Sequence, residues 1–573
     1  MTVTPVDAAA TSPKKPQQNP QRKSQQSLVL LFVGLLLTML MASLNQTVLA
    51  TALPTIVGDL NGVNHMSWVI TSFILASTIT MPVYGRISDV FGRRPVILVA
   101  IGLFMIGSIT GALASSIEVL IVSRVIQGLG GGGLMILSQA AIADVVPARQ
   151  RGKYMGIMGA AFAVSSVAGP LLGGWLTEGP GWRWAFWINL PFGVLAMLAV
   201  ALFLPAPKKL GADRPRLDYL GMALIAAATT ALVLASTWGG SEYEWGSPLI
   251  IGLFVAAAVL AVLFVVVEAK AVEPVIPLSF FADRNFTLTT VAGLITGVAM
   301  FGALGYMPTY IQMVTGVGAA QAGLLMVPMM GTMLLTSVIT GMVVSRTGHY
   351  KTYPVVGTVV VAGSLVLLSQ LQADSAIWML CGALGVMGLG LGMSMQIMVL
   401  IVQNSFPVSV VGTATAANNY FRQVGATLGS AVVGSLFITR LQDILAERMA
   451  STGATAGESS VNNLTPEMVQ QLPDAMQDVI VGSYNEALMP IFLYILPLMI
   501  AAAVLLLFVQ QKPLATTVED GVRATSAGSP ETGTLPLLRR DGADSDEIAA
   551  DDAEARSGPS LESARLISPS TSR

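Results

Sequence analysis

Polar side chains that could bind a ligand or carry a proton stand inside two long apolar stretches of this sequence. Asn45 lies in the run SLNQTVLATALP, and Arg124 and Gln127 lie in the run RVIQGLGGGG. An arginine at the centre of a membrane helix costs about 2.5–3.5 kcal/mol on insertion scales, so such a residue usually faces a cavity or a polar partner. Arg124 is therefore a candidate for a functional role. The alternative is that its side chain reaches the outer membrane surface near Glu118.

Asn45 cannot itself carry a proton, because the charge of an amide does not change. The apolar stretches contain no acidic residue at mid-membrane depth that could replace it. The nearest acidic residues lie at the ends of these stretches, and they are Asp59, Asp89, Glu118, Asp144, Glu178, Glu268 and Glu486. Glu486 and Asp144 could titrate if a closed cavity removes water from them, and both could equally be solvated charges at helix ends. The lack of deep carboxylates favours neutral, weakly basic or anionic amphiphiles over organic dications as substrates.

A short connection between two apolar stretches reads GRISDVFGRR, from Gly85 to Arg94. Gly85 and Gly92 allow a tight turn, and Asp89 can pair with Arg93 or Arg94 or cap the next helix. Such a pair can latch two helix ends and release them; plain anchoring by positive charge is the alternative. The run GMVVSRTGHYK, at 341–351, repeats the glycine spacing in degraded form, which is typical of two homologous halves.

The run AGPLLGG combines small residues with a proline. Gly169, Gly173 and Gly174 permit close approach of another helix, and Pro170 removes a backbone donor and bends its own helix. These residues are predicted to pack against a neighbouring helix. A role in gating would be a second function of the same residues.

The elements that position these residues follow from the composition. The chain has 573 residues, of which 53% are hydrophobic and 11% are charged, whereas soluble domains have about 25% charged residues. A membrane helix needs about 20 apolar residues, and windows of that kind are apolar on all sides, unlike the alternating strands of a membrane barrel. Fourteen windows qualify, at 28–50, 66–86, 95–115, 119–143, 153–176, 184–204, 217–238, 248–268, 287–312, 322–345, 353–371, 376–402, 412–438 and 488–510.

Lysine and arginine are concentrated in alternate connections, which predicts that both termini lie in the cytoplasm. The expected fold is an all-α polytopic membrane protein with two six-helix bundles and two extra helices between them. The predicted regions are a disordered start (1–27), a first bundle (28–204), the two extra helices (217–268), a second bundle (287–510) that includes an extracytoplasmic loop (439–487), and a disordered cytoplasmic tail (512–573).

Several of these runs, in this order, resemble the motifs of a known transporter family. The chain is similar to the major facilitator superfamily, and in particular to its fourteen-helix drug:proton antiporters. The resemblance covers about residues 28–510, and it rests on GRISDVFGRR, LIVSRVIQGLGGG, AGPLLGG, LNQTVLATALPTI, WRWAFWINLPFG and PLSFFADRNF.

The resemblance implies alternating access around a central cavity and export of amphiphilic compounds driven by proton entry. It implies that Asp89, Arg93 and Arg94 form a cytoplasmic latch and that Arg124 takes part in proton coupling. The glycines and proline at 169–174 would shape a gating helix. Asn45 departs from the family pattern, which commonly has an aspartate at that position, and it is interpreted as a hydrogen-bonding wall of the path between the two halves.

The alternative is a dedicated exporter of an endogenous metabolite, lipid or self-made antibiotic. Such an exporter could work without proton coupling through a side chain. An enzyme is disfavoured because His65, His349 and Cys381 are the only residues of their types and form no catalytic or metal constellation. An ATP-driven pump is disfavoured because the phosphate-loop motif is absent. The expected partners are amphiphilic small molecules, protons and the lipid bilayer, with no cofactor, metal or nucleic acid. We expect a monomer in a bacterial plasma membrane.

Overall fold

The computed structural model describes residues 20–60, 62, 65–205, 217–240, 242–452 and 466–516. The predicted disordered tail lies almost wholly outside these residues, and so does most of the predicted disordered start. Within the described part of the chain the protein is all-α, with no β-strand. Fourteen of its helical segments are long and apolar enough to cross a membrane, as predicted.

The first group of helices forms six spans. It consists of α1 (Pro20–Asp59), α2 (Met66–Phe91), α3 (Arg93–Ala112), α4 (Ile117–Val145), α5 (Ala148–Glu178), α6 (Trp184–Trp187) and α7 (Asn189–Phe203). Because α6 and α7 belong to one span that is broken at Ile188, seven helices make six crossings. Fully buried Leu35, Ile97 and Phe104 lie in the core of this group.

Two helices follow as a pair, α8 (Tyr219–Trp238) and α9 (Pro248–Glu268). They begin at the N-cap residues Asp218 and Ser247, whose side chains accept hydrogen bonds from the first turn of each helix. The two helices pack against each other, and α8 also contacts α2. Most of the α9 surface is exposed and apolar, as expected for a helix that faces lipid.

The last group forms the remaining six spans. It consists of α10 (Arg284–Leu304), α11 (Met307–Thr315), α12 (Ala319–Leu325), α13 (Val327–Thr347), α14 (Thr352–Ser369), α15 (Ile377–Ser405), α16 (Val411–Thr452), α17 (Pro466–Gln470), α18 (Asp474–Leu488) and α19 (Ile491–Leu507). Met387, Leu391 and Phe492 are fully buried in its core.

Two predicted irregular segments are helical where the structure describes them. Helix α1 begins at Pro20, inside the predicted disordered start, and α16 and α18 cover most of the predicted loop at 439–487. Both segments contain polar residues with good helix propensity, such as Gln, Lys, Arg and Glu. Their polarity limits how far the membrane span extends, but it does not end the helix.

The two groups of helices meet through two glycine-rich contacts, one between α5 and α13 and one between α2 and α16. A Cβ atom on Gly341 would collide with the carbonyl oxygen of Gly152, and one on Gly85 would collide with Ala416. Both contacts lie toward the end of the bundle that carries Arg93, Arg94, Arg149, Arg346 and Lys351, which we call the basic end. The glycines repeated in the sequence, Gly85 and Gly341, thus occupy equivalent places in the two groups.

Candidate functional site

The carboxylate of Asp89 joins the two groups of helices at the basic end. It accepts hydrogen bonds from the backbone N–H of Gly412 at 3.2 Å, the backbone N–H of Thr413 at 2.6 Å and the Thr413 hydroxyl at 2.5 Å. These donors belong to the first turn of α16, where backbone N–H groups have no helical partner and favour a negative charge. The Asp89 side chain is only 2% exposed, so water competes weakly for these bonds.

Arg93 holds the Asp89 carboxylate in place. It forms an ion pair with Asp89, and its Nε lies 3.3 Å from a carboxylate oxygen of Asp144 at the end of α4. Gly92, between α2 and α3, has φ +88°, in the left-handed region that favours glycine. Arg94 is half-buried and outside this arrangement, so the predicted latch consists of Asp89 and Arg93, with Asp144 as an additional member.

The degraded repeat forms a second contact at the basic end. Ser345 stands where Asp89 stands in the first copy, and its hydroxyl accepts a hydrogen bond from the backbone N–H of Lys153 in α5 at 2.8 Å. Arg149 donates to the backbone carbonyls of Ser345 at 3.0 Å and Arg346 at 2.6 Å. Each repeat therefore binds the start of a helix in the other group, by a carboxylate in one copy and a hydroxyl in the other.

Asn45, Arg124 and Gln127 come together inside the first group. Arg124 Nη1 donates to Asn45 Oδ1 at 2.5 Å and to Gln127 Oε1 at 2.7 Å, and its Nε donates to the carbonyl of Val69 at 3.2 Å. The guanidinium carbon lies 4.2 Å from the centre of the Phe73 ring, a favourable cation–π distance. All polar partners are neutral, so the positive charge has no carboxylate beside it.

The burial of this cluster excludes the surface alternative for Arg124 and corrects the expectation for Asn45. Arg124 is 3% exposed, so its side chain does not reach the outer surface. Asn45 is 1% exposed, and its amide oxygen accepts a hydrogen bond from Arg124. It therefore lies inside the first group and not on the wall of an open cavity. A neutral oxygen at position 45 leaves the guanidinium charge uncancelled, whereas an aspartate there would form an ion pair with it.

The predicted gating residues pack closely at two of four positions. A Cβ atom on Gly169 would collide with the Thr47 side chain, and one on Gly173 would lie 2.8 Å from the Val48 carbonyl oxygen. A Cβ on Gly174 would meet nothing within 4 Å, so Gly174 does not contribute to close packing. Pro170 lies inside α5, and a Cβ atom on Gly323 in α12 of the second group would lie 3.9 Å from its side chain.

Glu486 is separate from the Arg124 cluster. It lies in α18 at the end of the bundle away from the basic end, forms an ion pair with Arg448, and keeps a side-chain exposure of 53%. This geometry is that of a solvated charge at a helix end. Asp144 fits the candidate site better than Glu486 does. It pairs with Arg93 beside Asp89, and its Oδ1 is buried without a hydrogen-bond partner.

The structure adds three polar residues that sequence reasoning missed, Gln139, Gln403 and Asn419. Gln139 in α4 accepts a hydrogen bond from the side chain of Asn419 in α16 at 3.1 Å, and Gln403 donates to the Gln139 carbonyl at 3.1 Å. Arg422 donates to Asn419 Oδ1 at 2.6 Å. The signal available in the sequence was a pair of polar residues three positions apart, Asn419 and Arg422, in an apolar helix.

An apolar cavity of about 440 Å³ lies between α8, α9 and α16. Its lining includes Phe254, Phe264, Phe281 and Phe421. Among the described lining residues, the only hydrogen bond between helices joins the hydroxyls of Thr229 and Tyr420 at 2.8 Å. The volume is within the range of small-molecule pockets. Among the described residues, no group of His, Cys, Asp and Glu side chains is placed to hold a metal ion.

In the described part of the chain, two groups of six spans touch through glycines and a carboxylate at one end, and two further helices lie between them in the sequence. This is the architecture of a class of protein, the multi-pass membrane transporters. The family model of the Major Facilitator Superfamily matches residues 35–430. The chain therefore belongs to the major facilitator superfamily, whose members are transporters of small molecules rather than enzymes.

Two relatives agree with this assignment, and one solved structure agrees with the fold alone. An MFS-type transporter of Mycobacterium tuberculosis is 38% identical over 518 residues, which cover 89% of this chain and 74% of that protein. Multidrug resistance protein 3 of Bacillus subtilis is 31% identical over 502 residues, which cover 86% of this chain and 98% of that protein. The solved structure of the proton:xylose symporter XylE has a TM-score of 0.54 at 16% identity, with 87% of this chain and 99% of that chain covered.

Proposed function

We propose that this transporter exports amphiphilic compounds across the plasma membrane by alternating access, with the basic end in the cytoplasm and proton influx as the energy source. The observation that carries the proposal is the closure of the basic end by Asp89 on the first turn of α16. A contact made of one carboxylate and a helix terminus can break as a unit, so it suits a gate between two moving groups of helices.

The export of drugs is supported by the relatives. The similar protein of Bacillus subtilis is named for multidrug resistance and is covered over nearly its whole length. The apolar cavity beside α8 and α9 would accommodate the hydrophobic part of an amphiphile that enters from the lipid. We propose that the transporter acts as a monomer, since each chain contains both groups of helices.

Proton coupling through Asp144 is the version that the geometry supports best. Asp144 lies 3.3 Å from Arg93, which in turn pairs with Asp89. Protonation of Asp144 would remove one negative partner of Arg93, and deprotonation would restore it. The proton would thereby change the strength of the contact that closes the basic end. Arg124 and Asn45 do not exchange protons in this mechanism; they maintain a fixed buried charge.

The alternative is a dedicated exporter of one endogenous metabolite, lipid or self-made antibiotic that needs no titrating side chain. The observation in its favour is that Asn45, Arg124 and Gln127 contain no group that would titrate near neutral pH. Facilitated efflux down the substrate's own gradient would then be sufficient.

Proteoliposomes with an imposed pH gradient distinguish these versions. A pH-sensitive dye trapped in the vesicles reports the gradient. We expect a neutral amphiphile to accelerate the collapse of the pH gradient in vesicles with the native protein but not in protein-free vesicles. Asp144→Asn should reduce this coupled flux at least tenfold, while Glu486→Gln should leave it within about twofold because Glu486 is half-exposed. Asn45→Asp should slow transport, because the new carboxylate would form a buried ion pair with Arg124.

A native protein that moves substrate with no effect on the pH gradient would contradict proton coupling and favour facilitated efflux. Loss of coupling in Glu486→Gln with normal coupling in Asp144→Asn would contradict the role given to Asp144.

A further inference from the structure

A partly exposed arginine without an acidic partner lies deep in α16, beyond the contact that closes the basic end. Arg422 is in α16, eleven residues after its first residue Val411, which is about 16 Å along the helix at 1.5 Å per residue. Its Nη2 donates to Asn419 Oδ1 at 2.6 Å, and Asn419 in turn donates to Gln139 of α4. Arg422 thus stands well inside the membrane span.

The direction of this side chain follows from its neighbours on α16. Tyr420 bonds to Thr229 of α8, and Asn418 bonds to Thr290 of α10. Asn419 points to α4, and Arg422 lies one turn further on the same face. That face is turned toward the first group of helices and not toward lipid. Arg422 as a whole residue is partly exposed.

Arg422 lacks an acidic partner. None of the ion pairs in the described part of the chain includes it, and its one hydrogen-bond acceptor is a neutral amide oxygen. A charge in the membrane interior is costly unless it is paired or faces a polar cavity. Beside it, the Gln139 Nε2 is buried and has no hydrogen-bond partner. The cluster therefore offers donors without matching acceptors.

Arg124 differs from Arg422 in this respect. Three oxygen acceptors and the Phe73 ring surround Arg124, and it is almost fully buried. Arg422 has one acceptor and is partly exposed. Of the two, Arg422 is therefore the better placed to bind a ligand.

We propose that Arg422 binds the acidic group of an amphiphilic anion, a sulfonate or carboxylate attached to an apolar body, with the Gln139 amide as a second donor. This inference rests on the proposed export function and names the substrate class of that path. A guanidinium presents paired donors that match the oxygens of such groups, and the bound anion would supply the missing negative charge.

The test uses two fluorescent ligands that differ by one acidic group, 8-anilinonaphthalene-1-sulfonate and N-phenyl-1-naphthylamine. Binding is measured to the full chain in nanodiscs of phosphatidylcholine, with empty nanodiscs subtracted. This lipid has no net charge, so an anionic headgroup cannot take the place of the ligand. We expect Arg422→Gln to weaken binding of the sulfonate at least tenfold and to change binding of the neutral compound less than twofold. Arg422→Lys should restore part of the sulfonate affinity.

Arg440→Gln is the matched control, because Arg440 lies on the same helix but nearer its far end, where it bonds to the Tyr494 hydroxyl and the Glu486 backbone carbonyl. It should leave both affinities unchanged. Equal loss of both ligands in Arg422→Gln would overturn the proposal, since it would indicate a structural role. Native protein that binds the neutral compound but not the sulfonate would overturn the substrate class while leaving export intact. Binding of neither compound would contradict both proposals.

Discussion

Asp89→Asn is expected to shift the transporter toward a form that is open at the basic end and to reduce transport at least tenfold. The carboxylate accepts three hydrogen bonds from the start of α16, and a hydrogen bond to a charged group contributes about 1.5–3 kcal/mol. Asparagine keeps one acceptor oxygen but loses the charge that favours the helix terminus. A loss of about 2–3 kcal/mol corresponds to a change of about 30-fold to about 140-fold in the equilibrium between closed and open forms.

The shift can be measured with a single cysteine at position 152, which lies under the contact between α5 and α13. The native Cys381 is first replaced by serine, since it is the chain's only cysteine. We expect a membrane-impermeant maleimide to label Gly152→Cys faster when Asp89→Asn is present. Asp59→Asn is the control, because Asp59 pairs with Arg183 within the first group. Unchanged labelling and transport in Asp89→Asn would show that the carboxylate does not close this end.

Arg124→Gln is expected to abolish transport and to lower the stability of the first group of helices. The substitution leaves Asn45 Oδ1, Gln127 Oε1 and the Val69 carbonyl without their shared donor. Each buried polar group left without a partner costs about 1–3 kcal/mol. Arg124→Lys should retain the charge but only part of the activity, because an ammonium cannot reproduce the fork of donors that reaches these oxygens.

Transport rate and melting temperature, measured on the same preparations, separate the two effects. Arg183→Gln serves as the control because its guanidinium is exposed and pairs with Asp59 at 3.4 Å, an arrangement that contributes little to stability. We expect it to transport at the native rate. If Arg124→Gln also transports at the native rate, the buried charge has no role in the cycle.

Much of the fold could be predicted because membrane helices leave a strong local signal. The fourteen predicted windows correspond to fourteen spans among the described residues, and the glycines repeated in the sequence, Gly85 and Gly341, both lie at contacts between the two groups. The ends of helices were less predictable. In α16, for example, a polar segment after residue 438 was expected to be a loop, yet helix propensity and packing against α18 continue the helix to Thr452.

The candidate site was harder to predict because its partners are distant in the sequence. The motif at 85–94 indicated that Asp89 would pair with Arg93 or Arg94 or cap the next helix. It pairs with Arg93, but it caps α16 and not α3, which follows it in the sequence. The helix that it caps is 323 and 324 positions away at Gly412 and Thr413, so no local pattern could identify it. The same reason applies to Asn45, whose polar character was evident while its bond to Arg124 depended on how α1 and α4 pack.

A reversible cross-link at the basic end tests alternating access most directly. In the Cys381→Ser background, Gly152→Cys and Ser345→Cys would join α5 to α13, since a Cβ at position 152 lies 3.2 Å from the Ser345 hydroxyl oxygen. The pair Thr38→Cys and Ser138→Cys, whose native hydroxyl oxygens are 2.5 Å apart within the first group, is the control. The account predicts that oxidation stops transport for the first pair only and that reduction restores it. Normal transport by the fully cross-linked first pair would contradict the claim that the two groups must separate at the basic end.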